Sequence, residues 1–140
     1  MAFRYFTPNF RDVLTGTSKH DRFVVNEISD AFHNNQPFLD KITRYGKGDW
    51  IDLPLYFTPT RRWRDGSLRP LYRANKGLFD YSRAQVVRPG TIGLIDRSIG
   101  KTGPRHFVLI ANLGQPQLFS NEDIVIDIFA DPGVKGVFII

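Results

Sequence analysis

Between residues 61 and 76 the chain sets basic side chains among aromatics: Arg61, Arg62, Trp63, Arg64, Arg69, Tyr72, Arg73 and Lys76. A guanidinium binds phosphate or carboxylate as a planar fork, while Trp and Tyr stack on bases or anchor protein interfaces. The pattern serves two kinds of partner, a protein neighbour or a nucleic acid. The interrupting Pro59, Leu68, Pro70 and Leu71 favour the protein. Near the other end of the chain Asp123, Asp127 and Asp131 recur every four residues. On a strand Asp123 and Asp127 share the outer face, where they meet water, a cation or an arginine-bearing partner. A basic and an acidic stretch in one chain make a head-to-tail contact between copies attractive.

Other residue types could do chemistry, but their spacing does not assemble it. Gly100-Lys101-Thr102 has the ending of a phosphate loop, yet the required glycine five positions earlier is Ile95. The run also joins two apparent strands, so it reads as a hairpin turn. His20, His33 and His106 stand at no metal-ligand spacing. His106 precedes the apolar run Phe107-Val108-Leu109-Ile110 and reads as structural, and His20 as a surface residue. A hydrolase site built from His106, Asp96 and an Arg is the weakest of the readings. With no cysteine the chain has no disulfide framework, thiolate metal site or cysteine nucleophile. No catalytic residue, metal, cofactor or small-molecule substrate is expected.

Charge is concentrated rather than spread. Residues 1–60 balance at 0, residues 61–105 carry +8 and residues 106–140 carry −3, within a total of +5. Thirteen of the nineteen basic residues are Arg, where a solvating surface would use much Lys. The middle third is built to contact something. At 140 residues, 41% hydrophobic, the chain fits one domain with its own core. No apolar run has the length of a signal peptide or a membrane span, so neither is expected.

The elements that must position these residues follow from local pattern. Phe3, Tyr5, Phe6 and Phe10 alternate with Arg4 and Arg11 in an extended arm over residues 1–20 that docks on a neighbour. Asp21 reads as the N-cap of a helix over 22–32, with Val24, Val25, Ile28, Ala31 and Phe32 as its apolar stripe. A second helical turn is predicted at 38–45, ended by Gly46-Lys47-Gly48. Residues 50–57 read as an extended segment suited to a sheet edge, and 58–76 as a long loop or irregular hairpin turning at Asp65-Gly66. Strands are predicted at 91–97, 105–112, 122–129 and 137–140. In the third of these Ile124, Ile126 and Ile128 would alternate with exposed Asp123, Val125 and Asp127. No internal repeat is visible. The predicted fold is mainly β, a small antiparallel barrel or sandwich with one or two short helices.

Two resemblances go beyond these patterns. Arg88-Pro89-Gly90-Thr91-Ile92-Gly93-Leu94-Ile95-Asp96, followed by Gly103-Pro104-Arg105-His106-Phe107-Val108-Leu109-Ile110, resembles the strand, loop and strand of MazF-type toxin endoribonucleases. That resemblance implies Arg105 as the basic residue nearest a cleaved phosphate. In general character the chain resembles small phage virion proteins of the neck and tail. Its β-rich body, Arg-rich loop and aromatic arm carry that likeness, with no motif behind it. It implies a non-enzymatic assembly protein of a virion, made in the host cytoplasm, whose partners are its own copies and other assembly proteins. A nucleic-acid-binding β-barrel is the alternative.

Overall fold

Aspartates 28 residues apart organise the first half of the chain. Asp12 N–H donates to the Asp40 carboxylate at 2.7 Å, and Asp21 N–H to the Asp49 carboxylate at 2.8 Å. Between them the hydroxyls of Thr15 and Thr43, again 28 apart, lie 2.9 Å from each other. The computed structural model describes residues 2–6, 12–25, 40–54, 58–59, 61–73, 87–88, 90–98, 102–112 and 124–139.

These residues form eleven strands: β1 Ala2–Tyr5, β2 Val13–Thr15, β3 Asp21–Val24, β4 Asp40–Tyr45, β5 Trp50–Asp52, β6 Thr58–Pro59, β7 Pro70–Arg73, β8 Thr91–Asp96, β9 Arg105–Ala111, β10 Ile124–Ala130 and β11 Phe138–Ile139. One sheet has the order β1-β3-β5-β11, and the other β2-β4-β10-β9-β8-β6 with β7 also on β8. The fold is mainly β. Its sheets are mixed and not antiparallel as expected: only β9 pairs antiparallel, with β8 and with β10, and every other named pair is parallel.

The parallel pairing comes from winding. From β1 to β5 each strand lies in the sheet opposite its predecessor, so the chain stacks arc upon arc. Each arc is a strand, a corner and a strand in the other layer. The second arc, β4 to β5, lies on the first, β2 to β3, with Val13 on Lys41 and Arg22 on Trp50. The chain then leaves to make β6–β9 and returns as a third arc, with β10 on β4 and β11 on β5. An internal repeat therefore exists. Residues 12–25 and 40–53 share Asp, Thr, Lys and Asp at 12/40, 15/43, 19/47 and 21/49, and apolar pairs at 14/42, 23/51 and 25/53. The third arc keeps Lys135-Gly136-Val137-Phe138-Ile139 where the second has Lys47-Gly48-Asp49-Trp50-Ile51.

No helix occurs among the described residues. Residues 21–24 and 40–45 are strands, Val25 continues past β3 without helix, and residues 26–32 and 38–39 of the predicted helices lie outside the described residues. Asp21 is not an N-cap: its carboxylate accepts from the upstream Thr17 N–H at 2.7 Å and so closes its own corner. Asp21, Phe23 and Val25 point inward with period two, each at most 1% exposed. The core lies between the sheets, where Phe6, Phe23 and Ile51 of one layer meet Ile42, Leu94, Phe107 and Ile126 of the other. β10 is buried on both faces, Val125 and Asp127 included, where alternation predicted an exposed face.

Candidate functional site

Of the two forms expected for the basic segment, residues 61–69 take the hairpin. Arg62 and Leu68 pair antiparallel, and the turn runs from Trp63 to Gly66, whose N–H donates to the Trp63 carbonyl at 3.0 Å. Gly66 takes φ +87°, open to glycine without strain, which places the predicted turn at Asp65-Gly66. The turn is fastened from within. Asp65 accepts from the Ser67 hydroxyl at 2.6 Å, from the Ser67 N–H at 2.9 Å and from Arg69 at 3.1 Å. Those bonds hold its carboxyl down at about 2, the Ser67 hydroxyl contributing most. Arg69 also donates to the Ser67 hydroxyl at 2.8 Å and lies over the Trp63 ring at 5.2 Å.

The hairpin is seated on the third arc. Leu68 N–H donates to the Val137 carbonyl at 2.7 Å, and the Leu68 carbonyl accepts from the Val137 N–H at 3.1 Å. Val137 occupies the position that Asp49 holds in the second arc, so a backbone pair replaces the corner carboxylate there. A Cβ on Gly136 would strike the Leu68 carbonyl, so the hairpin can approach only a glycine. Between hairpin and arc lies an open cleft of about 410 Å³ walled by Arg61, Trp63, Arg69, Arg105 and Lys135. A second hollow of about 620 Å³ continues on the other side of Arg69, towards Lys47 and Asp131.

The predicted basic residues thus divide into two sets. Arg61, Arg62, Trp63 and Arg64 are exposed, Trp63 at 49%, and Arg62 and Arg64 engage no acceptor among the described residues. Arg69 is held by Asp65 and Ser67, and Arg73 donates to the Ser98 carbonyl at 2.7 Å. Tyr72 pairs with Ile95 in β7, and Lys76 lies outside the described residues. Of the aromatic arm, Phe3 and Tyr5 are exposed on β1, Phe6 is buried in the core, and Phe10 lies outside the described residues. The arm is the first strand of a sheet and not a free extension.

The acidic face separates too. Asp131 is exposed at the third corner and Asp123 lies outside the described residues. Asp127 is 8% exposed, and its Oδ1 lies 3.1 Å from His106 Nε2. His106 stacks on Phe129 at 4.3 Å. Asp96 belongs to the opposite face, because it pairs with Phe107, and it accepts from Arg105 at 2.6 Å. His106 and Asp96 are therefore not brought together. Among the described residues no three His, Cys, Asp or Glu side chains cluster as metal ligands do.

Two further cations complete the site: Arg105, which the endoribonuclease resemblance singled out, and Lys135, which no sequence pattern marked. Lys135 and Arg105 supply half the cations of the cleft, and only the Lys47/Lys135 correspondence of the arcs could have pointed to the first. Compared with protein families, curated proteins and solved structures, the chain matches none.

Proposed function

We propose that the protein is a non-enzymatic assembly subunit, entering a multi-subunit complex through its 61–69 hairpin. The observation that carries this is Trp63, half-exposed between Arg62 and Arg64 on a turn already fixed by Asp65, Ser67 and the Val137 pair. Trp and Arg are the side chains most enriched as interface anchors, and a pre-ordered turn binds without a further ordering cost. A phage virion is the setting we propose for that complex, on the general character of the sequence. Co-expression with the products of neighbouring genes tests this. A complex should survive size exclusion with the native chain and be lost with Trp63→Ala. A chain that elutes alone in every pairing overturns the reading.

The cleft favours a second reading, binding of single- or double-stranded nucleic acid beside Trp63. With Arg69 and Arg105 already paired to carboxylates, Arg61, Arg62, Arg64 and Lys135 remain for phosphate. Four such contacts give a log–log salt slope of about −3.6 on duplex, or roughly two decades of affinity lost between ~50 and ~200 mM salt. A titration of labelled DNA and RNA over that range tests it. In the endoribonuclease form of this reading the cleaved phosphate would compete with Asp96 for Arg105.

A further inference from the structure

Among the described residues four large apolar side chains stand exposed, and three of them, Phe3, Tyr5 and Val13, lie on β1 and β2. These strands are the outermost of their sheets at the first arc. Ala2 and Phe6 donate their N–H groups to His20 and Val24, so the backbone of Phe3 and Tyr5 faces away from β3. Asp12 accepts from Lys41 and Gly16 donates to Thr43, which turns the backbone of Val13 and Thr15 away from β4 in the same manner. Among the described residues nothing pairs with these outward-facing groups, so the first arc ends in unpaired hydrogen-bonding rows in both layers at once. Exposed edges are ordinarily blunted by charge, proline, a bulge or a covering segment. Phe3, Tyr5, Val13 and Thr15 carry no charge and no proline, and the cations beside them are engaged: Arg22, over the Phe3 ring at 5.5 Å, is paired with Asp52 at 2.7 Å, and Lys41, opposite Val13, lies over the Phe129 ring at 5.6 Å.

We propose that this end is an interface with a second copy of the chain, formed by antiparallel edge pairing of β1 with β1 and β2 with β2 about a two-fold axis normal to the sheets. Symmetry selects this occupant. Head-to-tail stacking would bring β11 to β1 in one layer, but in the other β10 is already covered by β9. Only the two-fold arrangement extends both layers together, and the uncharged rows meet themselves without repulsion. The surface is separate from the hairpin, so the proposal extends the assembly reading while failing or standing apart from it.

Sedimentation equilibrium of the full chain over a concentration series tests it. The native chain should dimerise reversibly. A Tyr5→Lys, Val13→Lys double variant should weaken the dimer by at least about tenfold, because each lysine meets its own copy across the axis. Trp63→Ala should dimerise as the native chain does. A monomer at every concentration, a dimer indifferent to the two lysines, or a dimer lost with Trp63→Ala overturns the proposal. Hydrogen exchange on the native chain gives a check free of any folding defect in the variants. The amides of Phe3, Tyr5, Val13 and Thr15 should gain protection as concentration rises, and exchange independent of concentration overturns it.

Discussion

Two aspartates pull the stability of the molecule in opposite directions with pH. Asp49 is 1% exposed, and burial raises its carboxyl above the ordinary 3.8 despite N–H bonds from Gly46 and Asp21; the Asp21 charge raises it further. Between 3.8 and the raised folded value the folded state holds more protons than the unfolded chain, so this contribution falls as pH rises through that window. Asp65, lowered to about 2, contributes above 3.8 and loses its contribution as pH falls towards 2. Unfolding curves from acid to neutral pH for Asp49→Asn and Asp65→Asn should show this. The deficit of the first against the native chain should grow on acidification, and that of the second should vanish. Tyr45 is the other decisive residue. Its hydroxyl donates to the Asp49 carbonyl at 2.6 Å and accepts from Phe138 N–H at 3.0 Å, tying the second arc to the third, and burial keeps it protonated well above the ordinary range. Tyr45→Phe leaves two buried backbone groups unpaired and should cost about 1–3 kcal/mol in chemical denaturation.

At the scale of elements, legibility followed local composition. The strands β8 to β11 and the Asp65-Gly66 turn were readable because apolar runs, glycines and local turn chemistry specify them. Of the first two arcs, β5 was readable as an extended segment within 50–57, though it lies inside its sheet between β3 and β11 and not at an edge, and β3 and β4 were read as helix. Asp21 and Asp40 stand before apolar residues as helix caps do, but their carboxylates answer backbone groups elsewhere, Asp40 across 28 residues. Only four of fourteen positions repeat between the arcs, because inward positions accept any apolar side chain and corners need only their aspartate. The exposed half of the hairpin site was visible as composition. Which arginines are occupied was not, since Asp65, Ser67 and Ser98 acquire that role only through folding. Close stacking of the arcs makes its own demand. A Cβ on Gly16 would run into the Arg44 carbonyl of the second arc, and a main-chain group cannot swing aside. Arg44 itself holds φ 57°, a left-handed conformation that costs a non-glycine residue about 1–2 kcal/mol. Gly16→Ala should therefore destabilise by about 1–3 kcal/mol in urea, with no change in the hairpin.

For the whole molecule, winding sets the kinetics. Parallel pairs join residues 28 apart in the first arcs, and the Phe138–Tyr45 hydrogen bond spans 93. Loop closure must precede such contacts, so refolding should fall in the millisecond-to-second range typical of non-local β topologies, not in microseconds. Stopped-flow fluorescence of Trp50, beside Phe138 at 5.2 Å, reports closure of the third arc. Because β10 and β11 complete both layers, removing residues 137–140 should abolish cooperative unfolding instead of trimming it.

The excursion between β5 and β10 also has a consequence during synthesis. β5 ends at Asp52, while β10, the strand that pairs with β4, begins only at Ile124, so about seventy residues leave the ribosome before the third arc can dock. At about 5–20 residues per second that takes roughly 4–14 s, during which the edges of β4 and β5 stand open to other nascent chains. Each newborn molecule therefore passes through an interval in which two strand edges await their partners.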